Sequence, residues 1–140
     1  MSFMRSFLFL CVLFVCLFSC SNDKESLEEL INNINEKCPI EEPCWSVDSL
    51  GISSNGDIVY FCNTNKNSEF FDLLKSRKDS ITNAMVDKLN NDKVENSMGL
   101  IKLCKKYDAG IIYKFSSTKT NEKLIIKIPH TKLIVDPEKY

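Results

Sequence analysis

Asn55-Gly56 stands between two runs of strand-forming residues, Trp45 to Ile52 and Asp57 to Asn63. That dipeptide in that setting is the strongest short-range signal for a β-hairpin, and the rest of the chain has to be arranged round it. With Asn55 and Gly56 as the two turn residues, Ile52 faces Val59, Leu50 faces Phe61 and Cys62 faces Ser49. Trp45, Val47 and Ser49 then alternate on the face opposite Leu50 and Ile52. A Cys44–Cys62 bridge is disfavoured in that register, and a one-residue slip would reverse the conclusion, because each step moves a strand's side chains to the other face.

The segments round this hairpin have a different period. Leu27, Leu30, Ile31 and Ile34 recur at helical spacing, with Ser26 and Glu29 as a capping box and Cys38-Pro39 as the stop. Residues 67–90 repeat the pattern through Phe70, Leu73, Leu74, Ile81, Met85 and Leu89, with a break expected near Asp79. Residues 94–107 do so through Met98, Ile101 and Cys104. Gly110 reads as a helix stop, after which the period becomes two. Ile111, Tyr113 and Phe115 alternate with polar neighbours, then Leu124, Ile126 and Ile128 do the same. The predicted order is α-β-β-α-α-β-β: an α+β domain with an antiparallel sheet of about four strands, two hairpins, and helices packed on one face.

The N-terminus carries no part of this pattern. Arg5 is the only charge in residues 1–20, and residues 7–18 are almost wholly apolar. A short positive region before such a core is the mark of an export signal, and the run is too short to cross a bilayer comfortably. It ends in Leu17-Phe18-Ser19-Cys20, which resembles the lipobox of bacterial lipoproteins. The resemblance implies cleavage after Ser19 and lipidation of Cys20. Ser21, rather than Asp, after the cysteine resembles the signal for an outer-membrane destination in a Gram-negative cell. The expected boundaries are a signal peptide at 1–19, a lipidated Cys and tether at 20–25, one domain at 26–130 and a tail at 131–140.

Eighteen Lys and Arg against nineteen Asp and Glu give a net charge of −1, with both signs interleaved, which argues against nucleic-acid binding. Beyond Cys20 four cysteines remain: Cys38, Cys44, Cys62 and Cys104. Intervals of 6, 18 and 42 residues contain no C-x-x-C pair, which argues against a zinc site or a thioredoxin-type motif. In an exported domain these four are candidate disulfide cysteines, with the connectivity open.

Asn35-x-x-Cys38-Pro39, Asp48-Ser49, Val59-Tyr60-Phe61, and Ala109-Gly110 leading to Tyr113 together resemble a group of small uncharacterised Gram-negative lipoproteins with an α+β domain. The resemblance implies a fold and a location in the cell envelope. No activity comes with it.

Catalytic signals are weak. His130 is the only histidine and no local residue orients it. Glu28 and Glu29 would diverge by about 100° on a helix, and Glu41-Glu42 reads as solvated charge that could meet a basic partner. The four glycines never cluster into a phosphate loop. Asp48-Ser49-Leu50 and Asp79-Ser80-Ile81 look like short O-glycosylation acceptors, at Ser49 and Ser80. Trp45, Val47 and Tyr60 fall on what the alternation makes the sheet's second face, a candidate interaction surface. The reading is a non-enzymatic binding or assembly module without metal or cofactor. It is held to the membrane through Cys20 and open to a protein partner in the envelope. The alternative is an inhibitor or immunity-type protective lipoprotein.

Overall fold

The computed structural model describes residues 27–91 and 95–134. The export signal, Cys20, the tether and the Ser26 cap lie outside the described residues, as do residues 135–140. Helix α1 occupies residues 27–36. It is followed by β1 (Ile40–Glu41), β2 (Ser46–Ile52), β3 (Ile58–Asn63), α2 (Ser68–Ser76), α3 (Lys78–Asn91), α4 (Glu95–Lys106), β4 (Ile111–Ser116) and β5 (Lys123–Ile128). The fold is α+β as expected, and the five strands lie side by side in chain order.

The sheet differs from expectation in three ways. A two-residue strand, β1, extends it by pairing Ile40 with Val47. The central pair β3–β4 is parallel, not antiparallel, with Tyr60 opposite Tyr113. Parallel neighbours need a long crossover, and α2, α3 and α4 together supply it. The first hairpin is also one residue out of the expected register. Gly56 adopts φ +86° and its N–H donates to the Ser53 carbonyl at 2.9 Å, while Ser53 N–H donates to Asp57 at 2.8 Å. These bonds close a three-residue loop with glycine in the left-handed position, so Ile52 faces Ile58 and Leu50 faces Tyr60.

A β-bulge then shifts the phase of β2 between Val47 and Ser49. The Asp48 carboxylate accepts a hydrogen bond from Asn63 Nδ2 at 2.6 Å. Because the bulge adds a residue on one strand only, Val47 and Leu50 come to the same face, and Cys62 pairs with Val47 rather than Ser49.

All the helices pack on that face. Leu27 and Ile31 of α1, Phe71 and Leu74 of α2, and Leu100, Ile101 and Cys104 of α4 form one core with Val47, Leu50, Ile58, Cys62, Tyr113, Phe115 and Ile126. Asn67 caps α2 by accepting from Glu69 N–H at 3.1 Å, and the break before α3 falls at Arg77. The stop after α4 is Asp108, at φ +51°, with Ala109 N–H donating to the Cys104 carbonyl at 2.8 Å. Gly110 serves a different purpose from the one expected. A Cβ there would lie 2.9 Å from the Ile128 carbonyl oxygen, so only glycine lets β4 begin so close to the end of β5. Nor does packing stop at residue 130. Leu133 is fully buried, and Asn90 holds the chain by donating to Lys132 O at 3.0 Å and accepting from Ile134 N at 2.9 Å.

One side chain completes the sheet edge. β1 is too short to reach Leu50, whose N–H donates to Asn35 Oδ1 at 2.7 Å and whose carbonyl accepts from Asn35 Nδ2 at 3.0 Å. The Asn35 amide thus offers the paired donor and acceptor that a neighbouring strand would. Replacing Asn35 with Ala is expected to cost about 1–3 kcal/mol, as for unpaired buried backbone groups. Asn35→Asp should cost a similar amount, since a carboxylate cannot donate to the Leu50 carbonyl. Urea denaturation of both variants checks this, and wild-type midpoints would refute it.

Candidate functional site

Trp45, Val47 and Tyr60 do come together, but under the helices rather than on the sheet's second face. The hairpin register and the bulge carry them there. They line a cleft of about 260 Å³ whose floor also includes Tyr113. Ile34 and Lys37 at the end of α1 form one wall, and Met85, Lys88 and Leu89 of α3 form the other. The cleft explains an oddity of α3. None of its residues is buried, although Ile81, Met85, Val86 and Leu89 rest against the core, because the helix bridges the space instead of filling it.

The floor is an aromatic raft. The Tyr60 and Tyr113 rings stack at 4.8 Å, while Trp45 meets Phe115 edge-on at 5.3 Å and Tyr113 at 6.3 Å. Such pairs contribute about 0.5–1.5 kcal/mol each beyond the area they bury. Burial pushes the Tyr60 phenol well above its ordinary value, with smaller contributions from the nearby Cys104, Cys62 and Cys38. Tyr113 moves the same way, again chiefly by burial. Both phenols therefore stay neutral at physiological pH, and the fixed charges of the cleft are confined to Lys37, Lys88 and Glu42. Such a site accepts an apolar group, and no Ser, Thr, Cys or His lines it.

The remaining candidate residues are dispersed. His130 lies near a separate cavity of about 390 Å³ and has a partner from outside its own segment, Asp108 Oδ1 at 3.6 Å from Nε2. No Ser, Thr or Cys lines that cavity. Glu41 forms an ion pair with Lys66 at 2.6 Å, and Glu42 O accepts from the same ammonium at 3.2 Å. Glu28 and Glu29 are exposed. Ser80 is exposed in the first turn of α3, whereas Ser49 is half-buried within β2. Cys38, Cys44, Cys62 and Cys104 are free thiols. Among the described residues no three metal-ligating side chains cluster, and no helix is long and apolar enough to cross a membrane.

Sequence reasoning missed Tyr113, Met85, Leu89 and the two lysines. For Tyr113, Met85 and Leu89 the apolar periodicity looks the same for a packed core as for the lining of a cleft, and the two lysines read only as solvated charge.

No family model and no curated protein matches the chain in sequence. Solved structures do resemble it. A Pseudomonas aeruginosa protein described as secreted superposes with a TM-score of 0.63 at 14% identity, covering 79% of this chain and 92% of that one. EpsS, the pilotin of the Vibrio vulnificus type 2 secretion system, superposes with a TM-score of 0.53 at 11% identity, covering 83% of this chain and 98% of that one. At identities this low the likeness is one of fold: the chain shares its architecture with a bacterial protein described as secreted and with a secretion-system pilotin.

Proposed function

We propose that this chain is a non-enzymatic, lipid-anchored protein of the bacterial envelope that seats an apolar segment of a protein partner in the aromatic cleft, as an assembly factor. The cleft carries the reading. Its floor is aromatic, its walls come from α1 and α3, and Lys37 and Lys88 are available to an acidic flank of the bound segment. The pilotin among the structural neighbours supports assembly over catalysis; the lipobox-like Leu17 to Cys20 supports a lipid anchor, and Ser21 after it an outer-membrane address.

Site-specific photocrosslinking in the native cell tests the cleft. A crosslinker at Leu89, on the α3 wall, is expected to give one reproducible adduct that Met85→Glu abolishes. The same group at the exposed Asn83 should give none. Equal labelling from both positions, or none from Leu89, overturns the reading.

The anchor is tested separately. Cys20→Ser is expected to move the protein from the detergent to the aqueous phase on phase partitioning and to end incorporation of labelled palmitate. Unchanged partitioning would refute lipidation at Cys20, since each buried CH₂ contributes about 0.8 kcal/mol to retention.

A further inference from the structure

The helices cover one face of the sheet, and the other carries its own chemistry. Phe61, Lys114 and Ile125 lie in register straight across β3, β4 and β5. Phe61 is 42% exposed and Ile125 43%, and the Lys114 ammonium stands 5.7 Å from the Phe61 ring centroid. Lys123 and Lys127 flank Ile125 along β5 on the same face. In a chain of net charge −1, the paired positions of β2 to β5 on this face hold three lysines and no carboxylate. The bulge residue Asp48, at the β2 corner, is engaged by Asn63.

Edge protection accounts for part of this. Lysines on an outermost strand such as β5 discourage pairing with another sheet. Lys114, however, is on β4, between two partners, where that purpose does not arise, and it stands between two exposed apolar side chains. We infer that this face, which none of the described helices covers, lies against an anionic lipid surface. Phe61 and Ile125 enter the headgroup–acyl boundary, while Lys114, Lys123 and Lys127 meet the phosphates. Lysine suits that boundary because its stem stays among apolar groups while the ammonium reaches the polar layer. A nucleic acid would call for a continuous basic stripe, which apolar residues interrupt here.

Lysine acylation footprinting read by mass spectrometry tests the inference on the full lipidated protein. The protein is reconstituted in vesicles of phosphatidylcholine alone and of phosphatidylcholine with phosphatidylglycerol. Lys114, Lys123 and Lys127 are expected to react about fivefold more slowly in the anionic vesicles, with Lys78 and Lys88 of α3 unchanged. The surface variant Lys114→Glu/Lys127→Glu should remove the protection of Lys123. Equal rates in the two vesicles overturn the inference. So does protection that rises with protein concentration without vesicles, which marks a second copy, or protection that appears only on adding other envelope proteins, which marks an acidic protein partner. The anchor is not at stake. A chain that fails to stay on phosphatidylcholine but sediments with the anionic vesicles, its three lysines protected, supports the inference while refuting the anchor.

Discussion

Truncation of Phe115 to alanine is expected to cost about 3–5 kcal/mol of folding free energy, the usual range for a buried aromatic. The ring is 1% exposed and touches the raft on three sides: Trp45 at 5.3 Å, Tyr113 at 6.2 Å and Phe70 at 6.4 Å. Its strand neighbours are Cys62 and Leu124, so removing it opens a cavity that no single neighbour can refill. Against a total stability of about 5–15 kcal/mol for a domain of this size, such a loss leaves the fold marginal and loosens the cleft floor. Phe61→Ala is the natural control. That ring is on the face away from the described helices and 42% exposed, so its truncation should cost about 1 kcal/mol, well short of the loss at Phe115. Urea midpoints for the two variants, compared at one pH, decide the matter. Similar costs would mean that the helices do not select one face as described.

The second large effect is a loss of stability in alkali. Burial pushes the Cys62 thiol up to about 12, with smaller contributions from Asp48 and Cys38. It does the same for Cys104, helped by Asp57. Both values are raised above the 9.0 taken for a free thiol, so the folded state favours the neutral form. That contribution is fully present below pH 9 and is lost as pH rises from 9 towards 12, because the unfolded chain ionises first. Each thiol loses about 1.4 kcal/mol per pH unit across this window. Tyr60 and Tyr113, raised in the same direction, add to the slope above pH 10. Urea midpoints measured from pH 7 to 11 should be level to about 8.5 and then fall steeply, and Cys104→Ala should have a shallower fall. A level profile through pH 11 would mean that these thiols are not free and buried, since a disulfide does not titrate.

Much of the architecture is legible from residue periods alone. The helices at 27–36, at 68–91 and through Lys106 follow from apolar residues three and four apart. The strands follow from strict alternation, as at Ile111, Tyr113 and Phe115. These are local effects, in which each residue's neighbours along the chain set the period and packing needs only one apolar stripe. The hairpin at Asn55-Gly56 was equally legible in kind. Its length was not, because glycine at +86° serves a three-residue loop as readily as a two-residue one.

That single residue had consequences for the candidate site. Trp45, Val47 and Tyr60 could be named from the sequence, yet their face depended on the loop length and on the Asp48 bulge, which is held by a bond to Asn63 fifteen residues away. The parallel pairing of β3 with β4 likewise depends on where a long crossover returns. Asn35 read as part of a short motif, and its role as a surrogate strand exists only because β1 stops short of Leu50.

The apolar and polar order along the chain therefore specified which segments are helix and which are strand, and marked Cys20 as the expected anchor. Tertiary structure alone decided the register, the direction of the central strands and the cleft between α1 and α3. Secondary-structure periods arise from neighbours a few residues apart. Strand faces, and hence cavities, depend on single-residue offsets fixed by bonds between distant parts of the chain.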